Sequence, residues 1–280
     1  MLPLTVWLCP DTDHETALAG TGSGTRLCGR HRRAVGSELA RHLIDTCTRE
    51  GDVVAEAFTT SDAVLRTGAL SGRRAIACVP HPPLARHIGG LLRTDLSHME
   101  LSRLVVRPCR PDQMHRGLAD QLGRVALVIA APPPYRLGAD REPVSRRGQR
   151  GCPACLSDAL TGGELRLEGF LLAAWRTLRR GGHLAVITTA RHEHDRMVDP
   201  APQVIRQARV LGFRYSQHAI ALRVPVSGDT LVVQAGPQEL AQLRDVRSRA
   251  LPPAATVHAD VCLFTKPLLA SSAGRERSAR

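Results

Sequence analysis

The sequence predicts an α/β protein built on a mostly parallel sheet covered by helices on both faces. Two observations lead there. From Ser37 onward, strand-like and helix-like stretches alternate at the spacing of β-α-β units. The run Val125-Ala-Leu-Val-Ile-Ala130 contains no polar residue, as expected of a strand buried on both faces. The composition agrees: 280 residues, 43% hydrophobic and 23% charged, can fill one core of ordinary size.

The elements follow in order. Leu2 to Cys9 is apolar and ends at Pro10-Asp11; it is too short for a signal peptide and lacks a basic leader. Residues 10–33, rich in Gly, Thr, Arg and His, read as a mobile surface loop. Ser37 to Thr48 places Leu39, Leu43, Ile44 and Cys47 on one helical face, and Gly51-Asp52 ends that helix. Val53 to Phe58 then reads as a strand, Ala63 to Leu70 as a helix, and Ala75 to Val79 as a strand. Leu84 to Leu92 and Met114 to Leu122 read as helices flanking a weak strand at Leu104 to Val106. After Val125–Ala130 comes the polar stretch Arg136 to Arg150, expected to be an exposed loop. Leu165 to Leu178 is predicted as a helix stopped by Arg179-Arg180-Gly181-Gly182, with a strand at His183 to Thr188. A helix over 201–211 closes at Gly212. Tyr215 to Val226 and Val261 to Thr265 read as the last two strands, antiparallel to each other, and 268–280 as a disordered tail.

Net charge is +12, and Lys266 is the only lysine among the 38 basic residues. Such a balance suits a nucleic-acid surface or an acidic partner, although the arginine excess also has the look of codon bias. No run approaches the roughly 20 apolar residues of a membrane-spanning helix. The eight cysteines are too sparse for a disulfide scaffold, so we expect a cytoplasmic protein with no membrane partner. Cys152-Pro-Ala-Cys155 has the spacing of half a zinc site, for which His192 and His194 would have to supply the rest. With no second Cys-x-x-Cys, two loop thiols are the simpler reading, and no metal is expected. Glu193 and Asp195 are read as surface charges in a loop.

The order of motifs is more specific than any one of them. A helix leads into the strand Gly51-Asp52-Val53-Val54, then a turn and a helix, then the strand Gly72-Arg73-Arg74-Ala75-Ile76. Later an apolar strand runs into Pro132-Pro133-Pro134-Tyr135, and Leu178-Arg-Arg-Gly-Gly-His-Leu-Ala-Val-Ile-Thr188 follows. From about residue 31 to Pro267 the chain resembles the S-adenosylmethionine-dependent DNA methyltransferases that modify exocyclic amines, especially the short actinobacterial "DNA methylase" proteins. The resemblance implies a Rossmann-like class I methyltransferase domain over 31–267, with a terminal antiparallel hairpin. An N-terminal strand and loop over 1–30 precede it, and the tail follows.

The functional positions that the resemblance assigns depart from the family pattern. The cofactor turn, Asp-Pro-x-x-Gly-x-Gly-Thr-Thr in the family, reads Glu56-Ala57-Phe58-Thr59-Thr60-Ser61-Asp62-Ala63-Val64. Glu56 keeps the acid, but Phe58 and Thr60 stand in a turn without glycine, whose small size lets the backbone approach the cofactor, and Asp62 adds a carboxylate. The acid that accepts hydrogen bonds from the ribose is replaced by Val79, and Pro108-Cys109-Arg110 replaces an acidic stretch near the adenine. Upstream, the closing element survives only as His31-Arg32-Arg33.

The catalytic motif, a polar residue then Pro-Pro and an aromatic, reads Ala131-Pro132-Pro133-Pro134-Tyr135. With Ala131 in the polar position Pro134 displaces the aromatic; with Pro132 there, Pro133-Pro134-Tyr135 is intact. Neither register supplies the polar side chain that orients the target amine.

Two readings follow. One is a homologue of adenine-N6 or cytosine-N4 DNA methyltransferases with cofactor binding and transfer impaired or lost. The other is a pseudoenzyme that binds nucleic acid or a partner without catalysis. An RNA or tRNA methyltransferase is a third. For DNA contact the candidates are Arg136, Arg146, Arg147 and Arg150, equally explicable as a solvated loop.

Overall fold

The computed structural model describes residues 4–10, 35–132, 167–189, 191–193, 196–223, 226–227, 230–231 and 258–268. Its centre is an eight-stranded sheet. The strands are β1 (Leu4–Leu8), β2 (Val53–Ala57), β3 (Arg74–Cys78), β4 (Leu104–Arg107), β5 (Val125–Ala130), β6 (Leu178–Thr188), β9 (Arg214–Leu222) and β12 (His258–Thr265), in the spatial order β1-β9-β12-β6-β5-β2-β3-β4. Only β12 runs antiparallel to its neighbours, β6 and β9. Two short hairpins complete the described strands: β7 (Arg191–Glu193) with β8 (Arg196–Val198), and β10 (Val226–Ser227) with β11 (Thr230–Leu231).

The six strands predicted from Val53, Ala75, Val125, His183, Tyr215 and Val261 lie in this one sheet, with β5 central and every one of its residues buried. A central parallel strand has helices over both faces, so an unbroken apolar run suits it.

Helices cover both faces. On one side, α1 (Ser37–Cys47) buries Leu39, Ala40, Leu43, Ile44 and Cys47 against β2, β5 and β6. Next to it, α2 (Ala63–Leu70) and α3 (Pro82–Asp95) enclose β3, with Leu84, Ile88 and Leu92 forming the inner stripe of α3. Two prolines open α3, where a missing N–H costs nothing. Ser97 and Glu100 cap the single turn α4 (His98–Leu101) reciprocally. On the opposite face, α5 (Met114–Gly117), α6 (Leu167–Thr177) and α7 (Ala201–Val210) pack Met114, Phe170, Leu171 and Val204 over β5, β6 and β12.

Four expectations need correction. The continuous helix at Met114 to Leu122 is α5 alone, between 3-10 turns at Pro111–Gln113 and Ala119–Gln121. Leu178 belongs to β6, because it pairs with Val125. Pairing resumes at His183 with Leu127, so residues 179–182 bulge from the ladder. Gly181 takes φ +72° there, and its N–H donates to the carbonyl of Lys266, whose own N–H donates to the carbonyl of Gly182. Finally, the strand expected to run to Val226 ends at Leu222, and Glu193 lies in the β7–β8 hairpin. The expected loops at 10–33 and 136–150 fall almost wholly outside the described residues, as does the tail apart from Leu268.

Candidate functional site

In an open sheet of this kind, ligands bind outside the carboxyl ends of strands where the connections diverge to opposite faces. That point lies between β2 and β5. The helix after β2 packs on the α1 face, whereas α6, between β5 and β6, packs on the other. Ala57 of β2 pairs with Ala130 of β5, and Glu56 pairs with Ala77 of β3. Three neighbouring strands thus bring Glu56, Phe58, Thr60, Val79, Ala131 and Pro132 to one edge.

Glu56 is 3% exposed, and its Oε2 has no hydrogen-bond partner among the described residues. Burial, reinforced by Asp62, pushes its pKa up to about 8 against a hydrogen bond from Thr59. The acid at the end of β2 is therefore mostly neutral near pH 7, and a ligand presenting an ammonium group would both satisfy Oε2 and restore its charge. Asp62 and Thr59 are themselves buried in the turn.

Phe58 adopts φ +62°, a conformation that glycine occupies without strain. The turn has kept a glycine's backbone while carrying a ring, which packs edge-on against Phe170 with centroids 5.1 Å apart. Val79 is fully buried between β3 and α3, and its N–H donates to the carbonyl of Arg107. Ala131 is partly buried against the α1 side of the core and Pro132 is buried. His31, Pro133, Tyr135, Arg136, Arg146, Arg147, Arg150, Cys152, Cys155 and His194 lie outside the described residues.

Two groups at this edge escaped the sequence reading. His81, at the N-cap of α3, is 6% exposed, and its Nδ1 has no partner among the described residues. Thr188, which ends β6, has a buried Oγ1 with no partner among the described residues. No motif marks either one; both are found only by accounting for buried polar atoms. Among the described residues no group of three His, Cys, Asp or Glu could hold a metal ion, and no helix is long and apolar enough to cross a membrane.

The strand order, with β12 reversed within an otherwise parallel sheet, is that of a Rossmann-like methyltransferase fold. No family profile and no curated protein matches the sequence. Among solved structures, the chain is similar to precorrin-6y C5,15-methyltransferase from Geobacter metallireducens, at 9% identity and TM-score 0.51, over 92% of this chain and 98% of that one. A Pyrococcus horikoshii protein provisionally assigned as an RNA methyltransferase gives 14% identity and TM-score 0.50 over the same shares, 92% and 98%. TrmN from Thermus thermophilus is 17% identical with TM-score 0.48, over 85% of this chain; the chain spans about half of TrmN, 51%. These identities establish the fold and nothing narrower.

Whether the crevice suits S-adenosylmethionine, the cofactor such folds imply, is tested by its polar atoms. The orphaned Glu56 Oε2 suits a cationic amine. At the position that the resemblance assigns to the ribose, the Val79 side chain offers no acceptor and is fully buried, and Phe58 and Thr60 occupy a turn without glycine.

Proposed function

We propose that this chain is a homologue of the DNA methyltransferases that modify the exocyclic amine of adenine or cytosine, with S-adenosylmethionine-dependent transfer impaired or lost. The observation that carries this reading is the contrast at the crevice. Glu56 waits there buried and unpaired, while the ribose position, Val79, is sealed in the core. A missing hydrogen-bonding group that leaves its partner unpaired costs about 1–3 kcal/mol; several such losses on one ligand weaken it by orders of magnitude. The catalytic position is equally bare, since Ala131 and Pro132 offer a target amine only backbone carbonyls.

The test is calorimetric titration of the full chain with S-adenosylmethionine. A dissociation constant above about 100 micromolar is expected; micromolar binding, or cofactor carried through purification, overturns the reading.

One observation favours the second reading, a nucleic-acid binder without transfer. Arg116, Arg124, Arg176, Arg180, Arg209 and Arg214 are all exposed. Arg124 precedes β5, Arg180 and Arg214 lie at the starts of β6 and β9, and Arg176 and Arg209 sit in the last turns of α6 and α7. They therefore gather toward the amino-terminal edge of the sheet, and none is ion-paired to a described residue. Such an array supports contact with a phosphate backbone.

A further inference from the structure

The carboxyl ends of β3 and β4 bring together two cysteines that sequence spacing does not relate. Cys78 ends β3 and pairs with Arg107 of β4. The Arg107 carbonyl accepts from both the Val79 and the Cys109 N–H, each at 2.9 Å. The second bond, between residues two apart, folds the chain tightly over Pro108 and returns Cys109 to the side of Cys78. Both thiols are free and belong to one buried cluster, and each is the largest influence on the other's ionisation. Gly117 leaves room for this arrangement, because a Cβ there would collide with Sγ and Cβ of Cys109. Cys109 lies two residues past Arg107, which pairs with Cys78 at a strand spacing of about 4.8 Å, and a disulfide needs roughly 4.4–6.8 Å between Cα atoms.

We propose that Cys78 and Cys109 are an oxidative modification site, a thiol pair that closes to a disulfide across the ends of β3 and β4. Cys109 is the attacking sulfur, at 8% exposed against 0% for Cys78. The neighbouring Cys78 thiol, helped by Arg107, holds the Cys109 thiol below its ordinary pKa despite burial, whereas Cys109 together with burial raises Cys78. With a peroxide as oxidant, the Cys109 thiolate attacks one oxygen, the O–O bond breaks, and water leaves once the released oxygen is protonated. Cys78 sulfur then attacks the Cys109 sulfenic acid, breaking its S–O bond and releasing a second water with the Cys78 proton. Two thiols lose two electrons and two protons, and one peroxide becomes two waters. The bond ties the Pro108–Arg110 segment to β3 beside Val79, at the rim of the crevice. The assignment does not rest on which ligand that crevice takes.

The experiment treats the full chain with hydrogen peroxide, blocks the remaining thiols, and maps tryptic peptides by mass spectrometry without reductant. Peptides 75–86 and 104–116 are expected joined, lighter by two hydrogens and separable by reductant. The joined species disappears in Cys78→Ser, where dimedone traps Cys109 as sulfenic acid, and falls several-fold in Gly117→Ala, which displaces Cys109. The map of the natural chain stands without either variant. Cys109 joined to a different cysteine, or both thiols still open to alkylation after peroxide, overturns the proposal.

Discussion

Asp52 and Arg179, 127 residues apart, are joined by a two-pronged ion pair with Nη1–Oδ1 at 2.6 Å and Nη2–Oδ2 at 3.0 Å. The pair fastens the entry to β2 onto the bulged start of β6, two strands away in the sheet. Asp52 also accepts the Arg49 N–H at 2.9 Å, so one carboxylate holds the end of the α1–β2 turn and the bulge together.

The Asp52 contacts have a pH signature. Burial raises its pKa, but hydrogen bonds from the Arg49 N–H and the Arg179 guanidinium outweigh it, and the net direction is down. A carboxylate lowered on folding contributes stability above its unfolded value, near 3.8, and that contribution is lost as pH falls through the folded value. Asp52→Asn should cost about 1–2 kcal/mol at pH 7 by urea denaturation, with the difference shrinking toward pH 3. Arg179→Ala should cost less, since the guanidinium is 42% exposed and screened by solvent.

Glu56 has the opposite sign. Its pKa rises from 4.5 to about 8 on folding, so between those values the unfolded chain ionises while the folded protein keeps its proton. Stability from this group is complete at low pH and declines as pH rises toward 8, by at most about 1.4 kcal/mol per pH unit. Glu56→Gln should therefore gain over the natural protein, on the order of a few kcal/mol by pH 8.5 relative to pH 5. Equal differences at the two pH values would contradict the buried, unpaired carboxyl.

At Phe58 the usual order of substitutions should invert. Its ring packs on Phe170, so truncation to alanine loses buried contact. The φ of +62° strains any residue but glycine by about 1–2 kcal/mol. Phe58→Gly should accordingly be more stable than Phe58→Ala by about 1 kcal/mol in chemical denaturation, the reverse of a typical position.

Nucleic-acid binding should weaken steeply with salt, each phosphate contact contributing a slope of about −0.9 in a log–log plot for duplex DNA. Replacing Arg146, Arg147 and Arg150 by alanine should lower affinity with little change in sequence preference. The same replacement at Arg176, Arg180 and Arg209 tests whether the amino-terminal edge shares the contact. No binding to single- or double-stranded DNA at low salt removes the nucleic-acid reading in favour of a protein partner.

Methyl transfer to DNA is expected to be slow or undetectable. An exocyclic amine conjugated with its ring needs two acceptors to turn its lone pair toward the donor, and alignment of that kind is worth several kcal/mol. Ala131→Asp alone should not restore activity while Val79 and the turn at Phe58 remain as they are. Labelled-methyl incorporation at the turnover of competent relatives would show that these substitutions are tolerated.

Hydrophobic periodicity alone located the strands of the central sheet from β2 onward and the helices α1, α2 and α3, because each buries a stripe set by its own repeat. The loss of family glycines and acids at 56–62, 79 and 131 was equally legible, since it concerns residue identity. Long-range pairing decided the rest. β1 became the sheet edge only by meeting β9, and residues 179–182 became a bulge only because Leu178 and Lys266 claim the flanking bonds. The neutral Glu56 and the Cys78–Cys109 pair follow the same logic. A carboxyl's charge depends on what surrounds it, and two thiols 31 positions apart meet only when β3 and β4 lie side by side.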